Sequence, residues 1–320
     1  MLTKNGQNCG KIKKRGVNMS TFHSKKTIVW IQGITCNGDS HSFFNYPGMK
    51  NFAKNFDIVY HPLLLSDYSL DSILKSTQRF DYLIVEGSFT KVRDYIDRGG
   101  HSFEELIENL SKRVEYIICA GSCASFGGIF AQRDKQNITG ALFRAEEEGG
   151  YWDKNKKVIN IPGCPLHPKW LVDTLFMLKD GNTVLLDEYL RPKEEFSYLV
   201  HHGCLRNEYF EWKIDTKNFG EKEGCLFYEQ GCRGPMTHAN CNKILWNEVS
   251  SKTRAGSPCL GCTEPDFPRD NVYETKTLMS LPLAPYGISK RAYYTVTGIA
   301  KSFKIDRLEK KLIEGYNENN

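Results

Sequence analysis

Five short apolar runs, KTIVWIQGI, FDIVYHPL, FDYLIVEGS, VEYIICAGS and KVINIPG, follow one another from residue 26 onward. Helix-like stretches lie between them at NYPGMKNFAKNF, SLDSILKS and SFEELIENLSKR, and PKWLVDTLFMLKD follows the last run. Strands that are apolar nearly throughout need cover on both faces. Alternation with helices supplies that cover and builds a parallel sheet. The expectation is an α/β, doubly wound parallel sheet, whose ligands gather outside the C-terminal ends of the strands.

This flavodoxin-like pattern stops near residue 183. Three parts are expected: a polar, flexible tail over 1–25, in which Met19 is an alternative start; a sheet domain over 26–182; and an irregular domain with its C-terminal extension over 183–320. Gly, Pro, Cys, Asn and aromatic residues crowd residues 200–275 with little periodicity. So long a stretch without clear elements is uncommon in a compact domain. Bound metal would give it a core, because binding free energy then becomes folding free energy.

At 320 residues the chain can bury a sizeable core, and its net charge of +5 is modest, part of it in KIKKRG near the N-terminus. No nucleic-acid motif accompanies these lysines, which read as solvated surface. The first 25 residues hold no apolar h-region or paired arginines, and no run approaches the roughly 20 apolar residues of a membrane span. A cytoplasmic protein, peripheral at most at the cytoplasmic membrane face, is the expectation. Eleven cysteines, an odd count without an export signal, argue against a disulfide framework and for reduced thiols or metal ligands.

Cys9 lies in the tail, and Cys119 sits inside the apolar run YIICAG, where it reads as a small hydrophobe. The rest form three sets of three. Cys36, Cys123 and Cys164 each follow a strand, in TCNGD, AGSCASFGG and IPGCPLHP, so three loops at one sheet end can converge. Nearby glycines admit close backbone approach, and the helix starts beyond the loops favour an anionic ligand. Cys204, Cys225 and Cys232 stand in HHGC and GCLFYEQGC, with His201 or His202 beside them. Cys241, Cys259 and Cys262 stand in HANC and SPCLGC. Thiolates with imidazole suit zinc or iron–sulfur clusters, and spacing alone separates the two poorly.

From about residue 27 to about residue 270 the order of motifs resembles the small, electron-transferring subunit of [NiFe] hydrogenases. The resemblance rests on WIQGITCNGD, VEG, GSCASFGG, IPGCP, HHGC, CLFYEQGCRGP, WNEVSSKTRAGSPC and CLGCTEPDFP. It implies a flavodoxin-like domain holding a proximal cluster on Cys36, Cys123 and Cys164, and an irregular domain holding two more. The implied medial set is Cys241, Cys259 and Cys262, suited to a 3Fe-4S cluster because no fourth cysteine is supplied. The implied distal set is His201, Cys204, Cys225 and Cys232, suited to 4Fe-4S; His201 rather than His202 has the family's three-residue offset. The Cys225 to Cys232 segment is one residue longer than the family's usual spacing.

Asp39 stands where the family usually has its second proximal cysteine, a departure similar to that of some uptake types without export signals. Three readings compete for it: a fourth donor that completes the proximal cluster, an N-cap for a helix at SHSFFN, or a three-iron proximal cluster with no Asp39 bond at all. Glu86 in VEGS is a proton-relay candidate, against a surface acid or a loop hydrogen bond. His41, His167 and His238 read as loop or packing residues rather than ligands.

The resemblance implies a partner large subunit that carries the nickel–iron site, and H2 oxidation with electrons passing from proximal through medial to distal. It further implies an electron-acceptor protein or quinone-linked partner at the His201 side and a higher oligomer of heterodimers. No Gly-x-Gly-x-x-Gly run is present for a nucleotide. The alternatives are an H2-sensing relative, a zinc-stabilised binding protein, and the quinone-reductase subunit of respiratory complexes, against which the six later cysteines argue.

Overall fold

The computed structural model describes residues 25–143, 149–152 and 156–269. The 1–25 tail with Cys9 and Met19, and the C-terminal extension beyond residue 269, lie outside them, apart from Lys25.

Each apolar run is a strand of one sheet: β1 Lys26–Gln32, β2 Phe56–Tyr60, β3 Phe80–Glu86, β4 Val114–Ala120 and β5 Val158–Ile161. All pairings among them are parallel. The order across the five-stranded sheet is β5-β4-β3-β1-β2, the flavodoxin-like arrangement with its topological switch between β1 and β3. Inner strands β1 and β3 are buried along most of their length, whereas edge strand β2 is fully buried only at Phe56 and Val59.

Period-2 alternation divides the core between the two faces. Ile28, Trp30, Tyr82 and Ile84 pack on one side with Phe43, Phe52, Trp170 and Leu171. Those partners come from α1 Gly38–Phe44, α2 Met49–Asn55 and, later in the chain, the helix Pro168–Lys179. Val29, Ile31, Leu83 and Val85 pack on the other side, under α3 Leu70–Lys75 and α4 Phe103–Ser111. Helix starts are specified locally. Ser102 accepts from Glu105 N at 3.2 Å to open α4. Ser69 likewise accepts from Ser72 N at 3.2 Å to open α3, each worth about 1 kcal/mol. Two short helices, α5 Gly121–Phe126 and α6 Gly128–Arg133, follow β4 directly. The helix after β5 is α7, opened by Pro168 at its first position.

Beyond α7 the described residues hold only short helices, α8 Lys193–Phe196, α9 Asn207–Trp212 and α10 Phe227–Gln230, with 3-10 turns and isolated bridges. This segment is not a detached unit. Phe196, Val200, Phe210, Leu226 and Phe227 join the same buried cluster as Trp30 and Trp170. Trp170 Nε1 donates to Asn240 Oδ1 at 2.6 Å, fixing the chain one residue before Cys241. Among the described residues no helix is long and apolar enough to cross a membrane.

Candidate metal centres

The three loops after β1, β4 and β5 meet at the C-terminal edge of the sheet, next to the switch point. Cys36 is exposed, and Cys123 and Cys164 are partly buried. Asp39 sits in the first turn of α1, but it is not the N-cap. Asn37 holds that position, left-handed at φ 62°, and makes no side-chain capping bond. The capping reading of Asp39 is therefore corrected. Glu86, at the end of β3, takes over instead: its Oε1 accepts from Asp39 N and Ser40 N, each at 3.2 Å. The free N–H groups and positive end of a helix N-terminus are thus met by a carboxylate from another element.

The Asp39 carboxylate turns inward. Oδ1 accepts from Leu166 N at 2.6 Å, in the loop that carries Cys164. A Cβ on Gly121, whose φ is +85°, would stand 2.1 Å from Asp39 Oδ2, so only glycine admits Asp39 against the start of α5. Burial holds the Asp39 carboxyl well above its ordinary range, partly countered by Leu166 N–H and reinforced by Glu86. Asp39 acts electrostatically on both Cys123 and Cys164, as Cys36 does on Cys164. Burial pushes Cys123 up to about 12 and Cys164 up to about 11. Thiols this reluctant to ionise need a positive centre to become ligands.

Glu86 is not a surface acid. It is fully buried and also accepts from Trp30 Nε1 at 3.2 Å, Gln32 Nε2 at 3.0 Å, Thr35 Oγ1 at 3.2 Å and Ser40 Oγ. Ser40 Oγ also meets His61 Nε2 at 3.1 Å, so a polar contact line runs from Glu86 to buried His61.

The other two sets each line a cavity. Cys241, Cys259 and Cys262 face one with Trp170, Trp246 and Lys252. His201, Cys204, Cys225 and Cys232 face another, beside Arg206 and Phe227. Burial pushes Cys259 up to about 11 and Cys225 up to about 12, and raises Cys241 and Cys232 as well. Backbone donors await the sulfurs: Arg206 N to Cys204 Sγ and Phe227 N to Cys225 Sγ, each at 3.4 Å. His201 Nε2 is buried with no hydrogen-bond partner. Burial holds its ring down to about 4, which keeps the imidazole neutral, the form that binds metal. An orphaned ring nitrogen lining a cavity with three cysteines fits a ligand set. His202 is exposed.

The three sets form a row. Cys164 and Cys262 interact electrostatically, as do Cys232 and Cys259. Cys259 N donates to Cys232 Sγ at 3.2 Å, and Ser122 Oγ donates to the Cys262 carbonyl while accepting from Gly163 N at 2.9 Å. Among the described residues no three His, Cys, Asp or Glu side chains close tightly enough to hold a single metal ion; the two later sets surround a cavity rather than a point.

The remaining candidates fall outside these sets. His41 is exposed on α1. His167 is the N-cap of α7, stacked on Trp170 and bonded to the Ile244 carbonyl at 3.1 Å. His238 is held by Glu264, with Nδ1 to Oε1 at 3.3 Å. Cys119 is fully buried in β4. Sequence reasoning missed two residues that hold the sites. Arg206, next to HHGC, donates to the carbonyls of Thr253 at 2.8 Å, Gly224 at 2.7 Å and Glu223 at 3.1 Å, bracing the loops of the His201 site. Lys252 reaches two of the cysteine sets, and nothing in SSKTRAG sets it apart from a surface lysine.

Fold and sites together define a protein in which a flavodoxin-like domain, carrying one cysteine set, is followed by a cysteine-rich domain carrying two. The family model for the C-terminal part of the NiFe/NiFeSe hydrogenase small subunit matches residues 196–274. That for the NADH ubiquinone oxidoreductase 20 Kd subunit matches residues 36–178, which hold the first set and the sheet from β2 onward. The chain is 38% identical over 270 residues to the periplasmic [NiFe] hydrogenase small subunit of Solidesulfovibrio fructosivorans, covering 77% of this chain and 80% of that one. It is 33% identical over 296 residues to the F420 non-reducing hydrogenase I small subunit of Methanosarcina mazei, covering 79% and 75%. Among solved structures, the Actinobacterial-type NiFe-hydrogenase from Ralstonia eutropha H16 aligns with TM-score 0.67 at 25% identity over 91% of each chain. The Dm. baculatum [NiFeSe]-hydrogenase aligns with TM-score 0.65 at 27% identity, over 79% of this chain and 99% of that one.

The chain belongs to the [NiFe] hydrogenase small-subunit family. Its place is in a hydrogenase complex, beside a large catalytic subunit, and small subunits of this family carry iron–sulfur clusters.

Proposed function

We propose that the chain is a three-site electron relay for H2 oxidation, with proximal, medial and distal sites in the spatial order of the row rather than in chain order. The observation that carries this reading is the row itself, in which Cys164 and Cys262 interact electrostatically and Cys259 N–H reaches Cys232 Sγ at 3.2 Å. Iron–sulfur clusters bound there supply one-electron carriers. Cys36, Cys123, Cys164 and Asp39 would hold the proximal group, and exposed Cys36 turns that site toward the large subunit. Cys241, Cys259 and Cys262 would hold the medial group with three thiolates, which suits 3Fe-4S. His201, Cys204, Cys225 and Cys232 would hold the distal group, suited to 4Fe-4S. His202 at the surface marks where an acceptor protein or quinone-linked partner docks. Glu86, through Ser40 to His61, is the chain's candidate path for a proton.

The buried Asp39 carboxylate, set against Gly121 and tied to the Cys164 loop, supports its role as the fourth proximal donor. A carboxylate is harder than a thiolate and shifts the potential of the group it binds.

Metal and acid-labile sulfide analysis of the anaerobically purified complex tests the relay. Roughly nine to twelve iron atoms in the small subunit are expected for three clusters of three or four irons each. Two or three zinc ions with no iron beyond the large subunit would sink it. For Asp39, the variant Asp39→Cys should change the EPR spectrum or potential of the proximal site and leave the other two alone. Three unchanged signals would mean that Asp39 only braces the Leu166 loop.

A further inference from the structure

We infer that Lys252 is a positioning residue for the electron, a fixed positive charge set between the proximal and medial sites that makes the medial site easier to reduce. The inference rests on the relay proposed above. Lys252 Nζ donates to the Cys164 carbonyl at 3.4 Å and to Cys262 Sγ at 3.7 Å, so one ammonium touches both cysteine sets. It lines the medial cavity with Cys241, Cys259 and Cys262.

What singles this cation out is its lack of a counter-ion. Among the described residues no carboxylate pairs with Lys252, whereas two other cations against the Cys262 loop are paired: Arg233 with Asp266 at 3.3 Å, and Arg191, which donates to the Thr263 carbonyl, with Asp187 at 2.8 Å. A half-buried charge is costly without a partner of opposite sign. Here the negative charge facing the ammonium is that of the thiolate site itself. An electron that arrives at the medial site from the proximal side adds one unit of negative charge next to Lys252. It leaves toward Cys232 without a proton moving. Attraction across protein is stronger than across water at the same separation, so the reduced state gains relative to the oxidised one. The effect ranks the sites. Lys252 meets a medial sulfur but only a proximal carbonyl, and nothing in the distal set.

The test is an EPR-monitored redox titration of the anaerobically purified complex, with the medial signal identified by its change in Cys241→Ser. Lys252→Met should lower the medial midpoint by at least about 59 mV, a tenfold loss in the one-electron reduction constant. The proximal midpoint should fall by less and the distal one stay in place, while Lys252→Arg keeps the medial value. A medial midpoint unmoved in Lys252→Met, with iron content and all three signals intact, overturns the inference and leaves the relay standing. If Lys252→Met loses the medial signal, Lys252→Gln is titrated in its place, with the same shift expected. Loss of the signal there too overturns the inference, because Lys252 would then hold the loop rather than set a potential. A wild-type complex whose small subunit lacks iron and sulfide sinks the relay, and this inference with it.

Discussion

Replacing Glu86 by glutamine keeps its shape and changes one acceptor oxygen into a donor group. In the structure each oxygen serves three donors: Thr35 Oγ1, Asp39 N and Ser40 N at Oε1, and Trp30 Nε1, Gln32 Nε2 and Ser40 Oγ at Oε2. Whichever way the amide turns, an NH2 group meets three donors; the hydroxyl among them, that of Thr35 or Ser40, can turn to accept, which leaves two N–H donors unsatisfied. Three of the six donors belong to Asp39 and Ser40 in the first turn of α1. A buried donor left unsatisfied costs about 1–3 kcal/mol. Because most of these contacts run long, at 3.0–3.2 Å, the low end applies, and the sum is about 2 kcal/mol. At 1.36 kcal/mol per decade, that raises local opening of α1 roughly 30-fold. Hydrogen-exchange mass spectrometry on the intact complex reads this directly in peptides covering residues 38–44. Peptides covering β4 serve as the internal control. Exchange in α1 that matches wild type in Glu86→Gln would refute the argument that this carboxylate anchors the helix carrying Asp39.

Two further outcomes follow from the geometry. His201→Ala should remove or alter the distal EPR signal while medial and proximal signals persist; an unaltered distal signal would show that the orphaned Nε2 meets no metal. Glu195 is buried with Oε2 unpartnered, and burial pushes its carboxyl up to about 8, with Asp173 adding to the rise. Its folded value lies above the ordinary glutamate value of 4.5, so its contribution is fully present below about pH 4.5 and is lost as pH rises through 8. Glu195→Gln should therefore match wild type near pH 4.5 and exceed it by a few kcal/mol above pH 8, read as the thermal unfolding midpoint against pH; parallel profiles would contradict it.

The strands were legible because each needs burial on both faces, and the five runs say so residue by residue. The helices α2, α3, α4 and α7 were legible for similar local reasons, such as Ser69 before α3 and Pro168 at the start of α7. The starts of α1 and α5, GDSH and GSCA, carry little helical character of their own. For α1, a glutamate 47 residues away in sequence from Asp39 supplies the cap. The grouping of cysteines could be read because the first three each fall just after a strand and the other six recur at short spacing. The fate of Asp39 could not, since its carboxylate is set by Leu166 N, 127 residues further on. Lys252 was illegible for the same reason: one lysine in SSKTRAG looks like any surface lysine until the fold brings it to Cys164 and Cys262.

Ser122 and Cys262, 140 residues apart, are joined by a single side-chain bond, and Lys252 reaches back 88 residues to the Cys164 carbonyl. During synthesis this means that the first cysteine loops leave the ribosome long before the segment that locks them. The sheet can form with its proximal thiols still open, and the C-terminal loops then close over them. On the relay proposed above, loading of the proximal loops then has a natural window, after β5 has folded and before residue 262 has docked.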